Sequence, residues 1–186
     1  MRIKLFEEFS EWDRDEFLLD LFTMTSTEVE NLFFEEIKKS KPHIEKIRVI
    51  IESGLVDLDD KDGSGHAPLH WVALMNRIEA SKLLIEMGAN LDVEDDDRCT
   101  PLHIASMFDY VMIAKMLIGA GADVEAEDKD KETPLHHAIW CNSIRVAELL
   151  LKAGADAGAI DYKGWTPLDR VRSQEMKNML DKYEIH

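Results

Sequence analysis

The chain is poor in several features that mark a class of protein. Only two of its 186 residues are cysteine, Cys99 and Cys141, so a disulfide framework is not expected and a reducing compartment is favoured. No apolar run approaches the length of a membrane span, and Glu7, Glu8 and Glu11 interrupt the N-terminal segment where a secretory signal has its apolar core. We therefore expect a cytoplasmic protein, or one that acts in host cytoplasm or nucleus if it is a pathogen effector, without contact with a membrane.

Basic residues are also scarce. The chain has 22 Lys and Arg but 38 Asp and Glu, which gives a formal net charge of −16. Because neutralising phosphates requires a basic surface, this balance disfavours nucleic acid as a partner. An acidic surface can attract a basic protein and steer its approach, and the alternative explanation is that it only keeps the protein soluble.

Signatures of catalysis are missing as well. The sequence has no Gly-rich phosphate loop, no nucleophile elbow around a serine and no Cys–His pair at a recognisable spacing. Neighbouring carboxylates are frequent, but we expect them in solvated loops, where nothing would shift one pKa toward that of a general acid. We predict that the protein is not an enzyme and needs no cofactor.

What the sequence does contain is a repeat of 33 residues. The repeat is most visible in four Pro-Leu steps, which are Pro68-Leu69, Pro101-Leu102, Pro134-Leu135 and Pro167-Leu168. An aspartate precedes each step by six residues, at Asp62, Asp95, Asp128 and Asp161. A period of this size predicts a stack of small units that bury a continuous core between neighbours.

The repeated pattern is similar to that of the ankyrin repeat, which reads D-x-x-G-x-T-P-L-H-x-A-A, then a short turn, a Leu-Leu helix and G-A-D. The resemblance covers about residues 55 to 183. It implies an all-α fold, an ankyrin-repeat solenoid of stacked helix-turn-helix units with β-hairpin-like loops. We divide the chain into an acidic aromatic N-terminal helical extension (1–26), a degenerate capping repeat (27–61), three repeats (62–94, 95–127 and 128–160) and a C-terminal capping repeat (161–186).

Each proline is expected in the first helical turn, where the N–H that it lacks has no partner in any case. The preceding residue should cap the helix, which Thr100, Thr133 and Thr166 can do and Ala67 cannot. We therefore expect the helix that begins at Pro68 to have the weakest start.

Other residue types fill positions where the resembled family usually has glycine. Between the two helices of a repeat these residues are Asn76, Asp109 and Asn142. They are types that tolerate a left-handed backbone. In the hairpin turn, where the first and last repeats have Gly65 and Gly164, the middle two have Arg98 and Lys131. We predict that these two turns are distorted or strained.

The N-terminal quarter does not follow the clear repeat. Thr27 to Glu30 matches a capping box that opens a helix, and Pro42 is expected to open another. In residues 1–25, apolar side chains alternate with acids as in an amphipathic helix, and they are Leu5, Phe6, Phe9, Trp12, Phe17, Leu18, Leu21 and Phe22. This segment either caps the stack or binds a partner.

Three histidines, His70, His103 and His136, recur at the same position of each repeat. Equivalent positions of stacked helices lie roughly 8–10 Å apart, too far for imidazoles to share one zinc ion. The resemblance implies instead that they bond the backbone at the turn. We predict no metal site.

The resemblance implies contacts with another protein from the hairpin tips and the concave face of the first helices. The residues carried over by register are His66, Met75, Asp96, Asp97, Met107, Phe108, Asp130, Glu132, Trp140, Cys141, Tyr162 and Trp165. We predict a monomeric, non-enzymatic protein-protein interaction module of the adaptor or host-interaction type, which binds through this face and its acidic hairpin edge. The alternative is a stoichiometric inhibitor or immunity protein that masks a basic toxin or enzyme.

Overall fold

The computed structural model describes residues 13–183, and all its regular elements are helices. The predictions made for Leu5, Phe6, Phe9 and Trp12 lie outside this range. None of the described helices is long and apolar enough to span a bilayer. The chain divides into two compact units, with the boundary between residues 57 and 58.

The first unit contains helices α1 (Arg14–Leu21), α2 (Ser26–Lys38) and α3 (Ile44–Glu52). The Asp13 carboxylate caps α1 by accepting the N–H groups of Asp15 and Glu16 at 2.9 and 3.1 Å. Helices α1 and α2 both pack on α3. The buried apolar side chains are Phe17, Leu21, Val29, Phe33, Ile37, Ile47, Val49 and Ile50.

Two predicted helix starts in this unit are wrong. The capping box lies at Thr25 and Glu28 rather than at Thr27, since the Glu28 carboxylate accepts the Thr25 N–H at 2.8 Å and Thr25 Oγ1 accepts the Glu28 N–H at 3.3 Å. Both sites match the pattern, and the earlier one adds two residues to the helix. Helix α3 begins after His43, whose Nδ1 caps it, so Pro42 precedes the cap.

The second unit is a stack of helix pairs. Its helices are α4 (Pro68–Leu74), α5 (Ile78–Glu86), α6 (Pro101–Met107), α7 (Val111–Ala120), α8 (Pro134–Trp140), α9 (Ile144–Lys152), a 3₁₀ helix (Pro167–Arg170) and α10 (Gln174–Asp181). The first helices pack in the order α4, α6, α8 and the 3₁₀ helix, and the second helices in the order α5, α7, α9 and α10. The predicted stack, with each first helix beginning at its proline, is confirmed.

The three repeated histidines are buried and bond the backbone at the turn, as predicted, and they also join neighbouring repeats. Nδ1 of His103 accepts the N–H of Thr100 at 3.0 Å, while Nε2 donates to the carbonyl of Glu132 in the next repeat at 3.0 Å. His70 and His136 make the same two bonds in their repeats. Burial and the nearby His137 lower the pKa of His103 from 6.5 to about 4. Because both ring nitrogens of His70, His103 and His136 bond the backbone, these histidines have no nitrogen left for a metal ion.

The helix that begins at Pro68 keeps this backbone bond although Ala67 has no hydroxyl, because His70 accepts the Ala67 N–H at 3.2 Å. In the last repeat Asp169 replaces the histidine and accepts the Thr166 N–H at 2.7 Å. The Asp169 carboxylate thus makes the bond within its own repeat that the histidines make in theirs, and among the described residues it makes no bond to a following repeat.

The left-handed positions are confirmed, with φ of 53° at Asn76, 53° at Asp109 and 59° at Asn142. Arg98 and Lys131 also have positive φ, at 61° and 56°. Each of these two donates its N–H to the aspartate carbonyl three residues earlier at 3.0 Å, as the glycines of the outer repeats do at 2.9 Å. The two turns are therefore not distorted, and the strain lies in the backbone angle.

Replacing Gly164 by alanine should lower the free energy of unfolding by about 1 kcal/mol, because an L-residue pays for left-handed backbone even with open space around its Cβ. Lys131→Gly should raise the free energy of unfolding, because glycine adopts the positive φ of that position without strain. Urea denaturation of both variants measures the effect.

Gly119 provides the control, since it lies in α7 with equal space around the added Cβ and without a left-handed φ. Gly119→Ala should stabilise the protein by about 0.5–1 kcal/mol through helix propensity. A Gly164→Ala variant that is as stable as Gly119→Ala would refute the assigned strain.

Candidate partner-binding face

The first helices end in two series of side chains spaced 33 residues apart. The last helical residues are Leu74, Met107 and Trp140, and the residues that follow them are Met75, Phe108 and Cys141. Phe108 is 50% exposed and Trp140 is 46% exposed. Cys141 is exposed too, while Met75 and Met107 are half-buried.

The hairpin loops, residues 62–66, 95–99, 128–132 and 161–165, are each closed by a bond from the aspartate N–H to the carbonyl four residues later. Adjacent loops are also bonded to each other. The Lys129 N–H donates to the Asp97 carbonyl, and the Tyr162 N–H to the Asp130 carbonyl, both at 3.0 Å. The Lys129 ammonium pairs with the Asp97 carboxylate as well. The last three loops are therefore one connected row.

Two aromatic side chains of the last loop are exposed, Tyr162 by 57% and Trp165 by 49%. The Lys163 ammonium lies 4.9 Å from the centroid of the Tyr162 ring and 5.6 Å from that of Trp165. These cation–π contacts hold the loop's aromatic rings near a single positive charge.

The exposed rings of the first helices are also held by neighbours. The guanidinium of Arg172 lies 3.8 Å from the centroid of the Trp140 ring, and Phe108 stacks on Tyr110 with centroids 5.4 Å apart. Such contacts reduce the side-chain entropy that would be lost on binding a partner. We call Met75, Met107, Phe108, Trp140, Tyr162 and Trp165 together the aromatic face.

Much of the acidity of the loops has an architectural use that the repeat pattern had not indicated. The carboxylates of Asp59, Asp92 and Glu125 accept backbone N–H groups of the following repeat at 2.7–2.8 Å. The hairpin aspartates bond their own turns, as Asp95 does with the N–H groups of Asp97 and Cys99 at 2.9 Å. The 33-residue spacing of Asp59, Asp92 and Glu125 in the sequence could have indicated this shared structural role. By contrast, the side chains of Asp96 and Asp97 are exposed.

A second unpredicted feature is a row of partners for the hairpin aspartates. In three of the four repeats, Oδ2 of the aspartate accepts from the side chain nine residues later: from Trp71 to Asp62 at 2.9 Å, from His137 to Asp128 at 2.8 Å, and from Arg170 to Asp161. In the second repeat that position is Ile104, and Nε2 of His66 lies 3.8 Å from Asp95 instead.

Two predicted contact residues, His66 and Glu132, take part in this row. His66 also packs against the Trp71 ring at 5.3 Å between centroids. Glu132 accepts from Arg170 at 2.6 Å and is 17% exposed. Both side chains therefore join neighbouring repeats, whereas the side chains of the aromatic face reach solvent.

The structure also brings Cys99 close to His137, a pair that the sequence analysis did not find because the two residues are 38 positions apart. Glu132 and Arg170 have the same separation and are in contact. Comparing one repeat with the next at that offset would have revealed the pair.

Comparison with known families agrees with this architecture. Residues 37–128 match a model of ankyrin repeats in three copies, and residues 117–171 match a model of ankyrin repeats in many copies. No curated protein matches the chain. Ankyrin repeats generally act as protein-protein interaction modules and are typically non-enzymatic. With the matched regions, the 33-residue period and the stacked helix pairs, this chain belongs to the ankyrin repeat family.

Proposed function

We propose that the chain is an adaptor that binds a basic segment of another protein on its aromatic face. The observation that carries the proposal is the exposure of Phe108, Trp140 and Trp165, each between 46% and 50%. Large rings held in place but left in contact with water are typical of interface hot spots.

The negative charge of the chain supports the proposal that the partner segment is basic. The net charge is −16, and the side chains of Asp96 and Asp97 in the hairpin row are exposed. A basic segment would be attracted over a distance comparable to the Debye length, about 8 Å at physiological salt. Its apolar side chains would then bury the rings of the aromatic face.

The double substitution Phe108→Ala and Trp140→Ala should reduce capture of the partner at least tenfold, because both rings are large and exposed on the proposed face. The measurement is affinity capture from lysate on the immobilised chain, with partners identified and quantified by mass spectrometry. Circular dichroism should remain unchanged, since both side chains are about half exposed, at 50% and 46%.

Met112→Ala is the matched control, because Met112 lies on the second helix α7 with the same 50% exposure as Phe108. It should leave capture unchanged. If the double variant captures the partner as well as the wild type does, or if Met112→Ala weakens capture equally, the aromatic face is not the binding surface.

Repeating the capture at low and high salt tests the charge of the partner. A basic partner should associate more slowly as ionic strength rises, and indifference to salt would rule out steering by the acidic hairpins. An activity assay on the captured protein then distinguishes the alternative role. An adaptor leaves that activity intact, whereas a stoichiometric inhibitor abolishes it at one molar equivalent.

A further inference from the structure

The last two repeats meet around a buried cation. The Arg170 guanidinium donates to Asp161 of its own repeat and, at 2.6 Å, to Glu132 of the preceding one. The side chains of Arg170 and Asp161 are 7% and 0% exposed. This junction between repeats therefore places one positive group between two side chains that come from successive hairpins.

One repeat earlier, the equivalent residues are Cys99 for Glu132, Asp128 for Asp161 and His137 for Arg170. A sulfur, a carboxylate oxygen and an imidazole nitrogen of these residues all lie within 4.8 Å of one another. Cys99 is 8% exposed and Asp128 5% exposed. The earlier junction therefore has the same arrangement, but a thiol and an imidazole stand where the later one has the Glu132 carboxylate and the Arg170 guanidinium. All three of its side chains are of types that bind metal ions.

We propose that Cys99, Asp128 and His137 bind a zinc ion between these two repeats, at the place where the next junction holds the Arg170 guanidinium. Mixed sulfur, nitrogen and oxygen donors suit zinc, whereas magnesium and calcium prefer oxygen alone. The Glu132 carboxylate, whose Oε2 lies 3.8 Å from Nε2 of His137, or a water molecule completes four ligands.

Binding needs only small rearrangements of these side chains. Cys99 loses its thiol proton to solvent, and the imidazole of His137 carries its hydrogen on Nδ1 so that the Nε2 lone pair faces the ion. Asp128 keeps the N–H groups of Asp130 and Glu132 on Oδ1 at 2.8 and 2.9 Å and offers Oδ2. Burial and the carboxylates of Asp95 and Asp128 raise the pKa of the Cys99 thiol to about 12, so the ion has to displace the thiol proton, whereas the same negative charge favours a cation there.

The bond from His137 to Asp128 is not by itself a sign of metal, since Trp71 makes the equivalent bond to Asp62. What distinguishes this junction is the thiol on the facing repeat. The decisive experiment must therefore report on sulfur coordination by Cys99.

The experiment uses the full chain carrying Cys141→Ser, so that Cys99 is its single thiol, after treatment with a chelator. Titration with Co²⁺ should produce a thiolate-to-cobalt charge-transfer band and the visible bands of a tetrahedral ion, both saturating at one equivalent. Zn²⁺ should displace the cobalt and raise the melting temperature.

Adding Cys99→Ser should abolish the charge-transfer band and weaken zinc binding about tenfold or more, with the helical circular dichroism retained. Absence of the band in the chain that has only Cys99 overturns the proposal, and this result does not depend on whether the serine variant folds. A band that survives Cys99→Ser also overturns it.

Discussion

Replacing Arg170 by alanine is expected to lower the free energy of unfolding by about 3–5 kcal/mol, the usual cost of removing one partner of a buried ion pair. The guanidinium is 7% exposed and bonds both Asp161 and Glu132. Burial alone would raise the pKa of Asp161, but bonds from the Trp165 N–H and from Arg170 outweigh it and lower that pKa. Without the arginine, two carboxylates of neighbouring repeats face each other without a counter-charge.

Chemical denaturation at pH 7 measures this loss, with Arg172→Ala as the control. Arg172 is exposed and lies over the Trp140 ring, so its removal should cost less than about 1 kcal/mol. Equal stability of the two variants would show that the junction around Arg170 does not hold the last repeats together.

Acidification from pH 6.5 to pH 4 is expected to remove about 3 kcal/mol of stability through His103 alone. Its pKa is lowered from 6.5 to about 4 by burial and by His137, so the unfolded chain takes up this proton first as the pH falls. The contribution is complete above pH 6.5 and is lost as the pH approaches 4. Burial also lowers the pKa values of His70 and His136, which act in the same direction.

Urea denaturation at several pH values between 7 and 4.5 gives the slope of the free energy of unfolding against pH. His103→Asn removes the titrating group while its side-chain oxygen can accept the Thr100 N–H, as the Asp169 carboxylate accepts that of Thr166. The variant should be less stable at pH 7 but lose stability less steeply with acid. Identical slopes for wild type and His103→Asn would contradict the assigned role.

The architecture was predictable because one pattern repeats. Proline positions such as Pro101 predicted where helices begin, and residue types predicted the left-handed backbone at Asn76 and Asp109. The structural role of His103 followed from the resemblance to the family. Where the pattern is degenerate, prediction was weaker, since Thr25 and Thr27 both match a capping box and the helix begins at the earlier one.

Contacts between repeats were not predictable from one repeat alone. The bond between Glu132 and Arg170, and the closeness of Cys99 to His137, join residues 38 positions apart, one period plus five. Likewise, the use of Asp92 to bond a backbone N–H of the next repeat depends on the distance between loops. The exposure of Trp140 also had to be seen in the structure, because its position at a helix end is equally compatible with the core.

Hydrogen–deuterium exchange of the complex with its captured partner tests the central claim most directly, because it locates the covered surface without any substitution. We predict slower exchange in the segments that carry the aromatic face, residues 74–76, 107–109, 140–142 and 161–165, and unchanged exchange in the second helices α5, α7 and α9. Protection confined to those second helices would contradict the proposed binding face.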